Sequence, residues 1–84
     1  MSGFGYALGG DAVQAFTSLP SRQRGELLRL FASVARFPAQ RGDFREPGAS
    51  GRIYEVKLSG DLLVTWWVDH AAREVRIVRI EAVD

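Results

Sequence analysis

Lys57 and Trp67 could hold a polynucleotide between them, since an ammonium contacts phosphate while an indole face stacks a base on a concave basic surface. The same two residues admit plainer readings. Lys57 stands two positions from Glu55 on one strand face, side by side with it and away from the helix-packed face, where the two form a weak ion pair. Trp67 serves equally well as a hydrophobic anchor for a partner peptide. Other chemistry has little to work with. His70 is the only histidine and falls in the turn Asp69-His70-Ala71-Ala72, where it reads as a solvated tip residue. Asp69 and His70 alone fall short of the three or four ligands of a stable metal site. Carboxylates are scattered rather than paired, and Asp61, after a turn glycine, supports a hairpin. No cysteine nucleophile, dinucleotide fingerprint, phosphate-binding loop or HExxH motif is present, so neither a metal nor a cofactor is expected.

Positioning these groups falls to residues 52–83. They read as three strands, RIYEVKL, DLLVTWWVD and REVRIVRIEAV, joined by SG and HAA, with Ser59-Gly60 as a two-residue hairpin signal. In the first strand Tyr54, Val56 and Leu58 alternate with Ile53, Glu55 and Lys57, which predicts that the apolar set faces the helices. The second strand is apolar on both faces, as suits a central strand. In the third, apolar parity shifts between Val75, Ile77 and Val78, Ile80, which either a bulge near Ile77 or burial of both faces accounts for.

Upstream, Phe4 to Leu8 alternates as a short first strand ended by Gly9-Gly10. Asp11 is a candidate N-cap for a short helix from Ala12 to about Thr17, with Val13 and Phe16 on one face. A second helix is expected over 21–36, capped by Ser18 or Ser21, with Pro20 in its first turn and an apolar stripe of Leu27, Leu28, Leu30, Phe31, Val34 and Ala35. Gly25 costs about 1 kcal/mol of helix propensity, which suggests a close approach of the two helices there. Phe37-Pro38 ends the helix, and 38–51 reads as a long loop anchored by Phe44.

With 84 residues, 46% of them hydrophobic, the expectation is a single α+β domain, 1–84, in which two N-terminal helices pack on a mainly antiparallel sheet of three or four strands. No apolar run approaches the length of a spanning helix and the N-terminus lacks the pattern of a secretory signal, so no membrane role and a cytoplasmic location are expected. Without cysteines, no disulfide or thiolate zinc site can staple the core, and stability must come from packing, completed if need be by a partner subunit. From Pro20 through Arg52 seven arginines face Glu26, Asp43 and Glu46, whereas the end is mildly acidic. The basic middle either attracts nucleic acid or is a solvated helix face.

Two helices, a loop and then RIYEVKLSGDLLVTWWVD…VRIVRI together resemble the RelE/ParE superfamily of bacterial toxins from type II toxin-antitoxin pairs. Tyr54-Glu55-Val56-Lys57 and Gly60-Asp61-Leu62-Leu63-Val64-Thr65-Trp66 occupy the places of that family's two hairpin strand patterns. The resemblance implies a toxin that inhibits translation by metal-free, ribosome-dependent mRNA cleavage, or that inhibits DNA gyrase, and that an antitoxin neutralises. Carried over by position, Lys57 matches the second basic residue of the first hairpin strand, while Glu55 and Leu63 stand where the family has basic residues. Glu81-Ala82-Val83-Asp84 stands where many members continue into a basic segment. Arg45, Arg52 and Arg79 are the substitutes at hand: Arg52 and Arg79 beside Lys57 in catalysis, Arg45 beside Trp67 in binding nucleic acid or partner. The alternative is a catalytically inactive module of the same fold that acts through protein contact or homodimerisation.

Overall fold

The computed structural model describes residues 3–83; Met1, Ser2 and Asp84, the last of these counted above in the acidic end, lie outside them. The elements run β1 (Gly5–Leu8), α1 (Gly10–Thr17), α2 (Ser21–Arg36), β2 (Phe44–Pro47), a short 3-10 turn (Ala49–Gly51), β3 (Ile53–Ser59), β4 (Leu62–Asp69) and β5 (Glu74–Ala82). All strands join one sheet in the order β1-β5-β4-β3-β2, antiparallel except for the parallel pair β1 and β5. Two helices on a mainly antiparallel sheet is the architecture expected. The sheet has five strands because residues 44–47, read above as part of a loop, pair with β3 as an edge strand.

α2 keeps its expected limits, and Phe37 ends it. The capping differs. Pro20 takes the N-cap position of α2 without a side-chain bond, and Ser18 instead donates its hydroxyl to the Gln14 carbonyl at the end of α1 (2.9 Å). Asp11 is not a cap either. α1 starts at Gly10, and Asp11 lies in its first turn, where its carboxylate meets the positive end of the helix dipole. Gly9 tethers that turn by donating its N–H to the Ile77 carbonyl (2.9 Å).

The core forms where α1 and α2 lie over β1 and β5. Ala12, Leu27, Phe31 and Val34 pack on Leu62, Val64 and Trp66 of β4 and on Val75, Ile77 and Ile80 of β5. Tyr6 of β1 closes one side, its ring centroid 5.4 Å from that of Phe31. Val13 and Leu28, placed on the inward stripes by periodicity, are exposed; Ala12 takes the inward place on α1. No residue of β2 or β3 belongs to this cluster.

Register corrects the facing of β3. Paired residues in adjacent strands share a face; Lys57 pairs with Val64 and Glu55 with Trp66, so Ile53, Glu55 and Lys57 take the helix side. Val56 pairs with Thr65 and Leu58 with Leu63, so Tyr54, Val56 and Leu58 lie on the opposite side, free of helices. In β5 a bulge accounts for the parity shift: Thr65 pairs with Arg79 and Trp66 with Ile77, leaving Val78 unmatched. The hairpin loop between β3 and β4 is Gly60-Asp61 rather than Ser59-Gly60, since Ser59 pairs with Leu62 and Gly60 has φ +62°. Among the described residues no helix is long and apolar enough to cross a membrane.

Two glycines differ sharply in what surrounds them. At Gly42 the chain crosses the backbone of β3 so closely that an added Cβ would stand 2.4 Å from the Val56 carbonyl oxygen. At Gly25 an added Cβ meets nothing within 4 Å, so helix proximity is not the reason for that glycine. Gly42→Ala is expected to lower unfolding free energy by about 1–3 kcal/mol through forced backbone displacement. Gly25→Ala is expected to raise it by about 0.5–1 kcal/mol through helix propensity. Urea denaturation midpoints of the two variants check both signs.

Candidate nucleic-acid and partner interface

The helix-free side of the sheet collects most of the expected chemistry. From β2 to β5 it carries Phe44 and Glu46, then Tyr54, Val56 and Leu58, then Leu63, Thr65 and Trp67, and then Arg76, Arg79 and Glu81. Arg52, just before β3, lays its guanidinium over the Trp67 ring, 4.0 Å from the centroid. Arg79 is the register partner of Thr65, and Thr65 and Trp67 are two residues apart on one strand face, about 7 Å along it. Arg52, Arg79 and Trp67 are therefore brought together.

Lys57 and Arg45 are not. Both lie on the helix side of β3 and β2, beyond the reach of the main core, so Lys57 and Trp67 occupy opposite faces of the sheet and cannot clasp one ligand as the spacing suggested. Glu55 does not pair with Lys57 either. It accepts from Arg45 Nε (3.0 Å) and from the Gly42 backbone N–H (2.8 Å), while Lys57 stands 3.9 Å from Asp43. Beside them, Arg41, Arg45 and His70 line a shallow hollow of about 270 Å³, and the His70 ring sits edge-on to Phe4.

Charge on the helix-free face is largely neutralised from within. Arg76 is paired with Glu74 (3.1 Å) and Asp69 (3.6 Å), and Arg79 with Glu46 and, at 3.6 Å, Glu81. The hydrogen bond that Arg79 donates to the Glu46 carboxylate raises the pKa of the guanidinium above its ordinary value, outweighing the opposing cost of partial burial. Arg52 makes no ion pair among the described residues and has an aromatic ring in place of a carboxylate. A hollow of about 320 Å³ opens beside it, bounded by Trp67, Arg76, Val78 and the end of β1, Ala7-Leu8, with Gly9.

Thr65 and Val56 are almost wholly shielded, at 0% and 2% exposure, although they stand on the face without helices. The Thr65 hydroxyl has no hydrogen-bond partner among the described residues. Thr65 has a faint sequence signal as the lone hydroxyl in the apolar run 62–68. Glu46 and Arg76 have none, because their roles depend on which strands become neighbours. Among the described residues, His, Asp and Glu side chains nowhere gather in a group of three that could hold a metal ion.

No protein-family model and no curated protein matches this sequence. Solved structures do. The RelE chain type is represented by an archaeal RelE–RelB complex from Pyrococcus horikoshii (TM-score 0.76, 17% identity, 94% of this chain and 93% of that one). The isolated Escherichia coli RelE toxin aligns with a TM-score of 0.71 at 14% identity over 96% of this chain and 85% of that one. A toxin-antitoxin complex of RelBE type from Mycobacterium tuberculosis gives 0.70 at 15% identity, over 96% and 99%. At such identity the likeness is one of fold, and the fold is the RelE/ParE-like α+β arrangement.

The Arg52–Trp67 stack has a direct optical readout, since Trp66 is buried and Trp67 is only half so. Arg52→Ala is expected to expose the Trp67 ring, shifting tryptophan emission to the red and increasing quenching by iodide. Unchanged quenching means that the guanidinium does not cover the ring in solution.

Proposed function

We propose that this chain is the toxin component of a toxin-antitoxin pair, a single cytoplasmic domain whose helix-free sheet face engages RNA during translation and which an antitoxin segment neutralises. The observation that carries the reading is the convergence of Arg52, Arg79 and Trp67 on that face, in a fold like that of RelE chains solved alone and with their partners. An arginine over an indole beside a second arginine is suited to stacking a base and holding the adjoining phosphate. Metal-free cleavage by 2′-hydroxyl attack needs little more than charge stabilisation of the phosphate, and each such donor is worth about 10²–10³ in rate.

A disordered antitoxin segment that folds on binding would cover the apolar edge of the same face, where Phe44 and Leu58 are about half exposed. Gyrase inhibition would use this surface for protein contact instead. The second reading, a module acting by protein contact or dimerisation alone, is favoured by the carboxylates paired with Arg45, Lys57, Arg76 and Arg79.

The chain is expected to arrest growth when expressed alone and, once purified, to form a complex with the product of the adjacent small gene and to cleave mRNA on ribosomes. Arg52→Ala and Arg79→Ala are each expected to lower cleavage by about 10²-fold or more. Lys57→Ala is expected to leave it near the parent rate, and loss of cleavage in that variant would return Lys57 to the mechanism. A chain that forms the complex but cuts nothing supports protein contact alone.

A further inference from the structure

Arg79 and Glu46 belong to strands that are not neighbours. Arg79 is on β5 and Glu46 on the edge strand β2, with β4 and β3 between them, yet their side chains meet across the helix-free face. Along that span the register partners are Thr65, opposite Arg79 on β4, and Tyr54, opposite Glu46 on β3, with Val56 next to Thr65. Thr65 and Val56 are buried on the face that carries no helix, Thr65 with the Arg79 side chain as its neighbour on β5 and Val56 with the chain at Gly42 crossing its backbone. Tyr54 and Glu81 are the other charged or titratable groups close enough to act on Arg79.

A pair holding only a core together would be buried. This one is on the surface, with both side chains more than a third exposed. Its energetic worth there is small, as for surface pairs generally. Its positional effect is larger. A guanidinium has a fork of donors that accepts a carboxylate or a phosphate in similar geometry, and here a carboxylate of the same chain already fills it.

We infer that Glu46 is an internal plug of the anion site on the helix-free face: its carboxylate occupies the place of a phosphate on Arg79, and its displacement frees Arg79 and uncovers the Thr65 hydroxyl for a phosphodiester. The inference rests on the RNA-directed reading given above and adds a regulatory element to it. The site is closed by default, and a ligand with several phosphates in register, one of them on Arg52, has the means to open it, whereas a single weak contact does not. The Thr65 hydroxyl, which lacks a partner in the closed arrangement, can donate to the incoming phosphate oxygen.

Glu46→Gln keeps the shape of the side chain and removes its charge. Asp11→Asn, on α1 and outside any ion pair among the described residues, makes the same change in net charge far from the site. Binding of a fluorescein-labelled single-stranded RNA 12-mer, followed by anisotropy from low to moderate salt, is expected to tighten about tenfold in Glu46→Gln. The slope of log affinity against log salt should steepen by about 0.7, the value of one added phosphate contact to a single strand. Asp11→Asn should do neither, and Glu46→Gln combined with Arg79→Gln should lose the gain. RNA binding that is equal in wild type and Glu46→Gln, a gain matched by Asp11→Asn, or a gain that survives loss of Arg79 overturns the plug while leaving RNA engagement standing. Inorganic phosphate, titrated against the Arg79 side-chain N–H resonance, separates the two claims. A phosphate response confined to Glu46→Gln without RNA binding by any variant supports the plug and removes the RNA reading, and no phosphate response and no RNA binding in any variant removes both.

Discussion

Val78, the unmatched residue between β4 and β5, decides which way the end of the last strand faces. Without the bulge, side chains would alternate strictly from Ile77 onward, turning Arg79 toward the helices and Ile80 away from them. With it, Ile77 and Ile80 both enter the core, and Arg79 and Glu81 both emerge on the helix-free side. Burying a guanidinium under α1 without a partner would be far costlier than leaving one strand residue unpaired. One extra residue thus satisfies the hydrophobic demand of β5 and delivers the cation on which the opposite face depends.

The second constraint is the shortness of the helical layer. Two helices of eight and sixteen residues share a core with β1, β4 and β5 and leave β2 and β3 outside it. The outer part of the sheet is therefore held by backbone pairing and by polar contacts between its own side chains, such as Arg45 with Glu55 and the Leu58 N–H with Asp43 (2.7 Å). Hairpin strands that need not match a helix are free to carry Glu55 and Lys57 on the nominally inward side.

That division explains what could be read from the sequence. α2 was legible to the residue because its periodicity, its flanking prolines and its partner surface all agree. The three meander strands were legible because β-branched and aromatic residues fill them, whereas the parity break in β5 fitted a bulge and two-faced burial equally, and only the register decides for the bulge. The facing of β3 was not legible, since alternation names two faces without saying which is covered, and here the more apolar set, Tyr54, Val56 and Leu58, lies away from the helices. β2 carries Pro47 and few apolar residues, so its strand character comes from the neighbour it pairs with. For the same reason the shared face of Arg52, Arg79 and Trp67 was not legible, and Lys57 and Arg45 stood in its place: sequence separations have no bearing on it until the register is known.

The first and last strands lie side by side, with Gly5 to Leu8 running parallel to Glu74 to Ile77. This closure joins segments far apart in sequence, and parallel pairing over such a separation is slow to form. While the chain is being synthesised, β1 has no partner until β5 has emerged, and the apolar side chains of α1 and α2 have only part of the sheet to cover. Emergence of β5 thus sets the timing: until it is free, a nascent chain has neither the completed sheet nor the face that Arg79 helps to form.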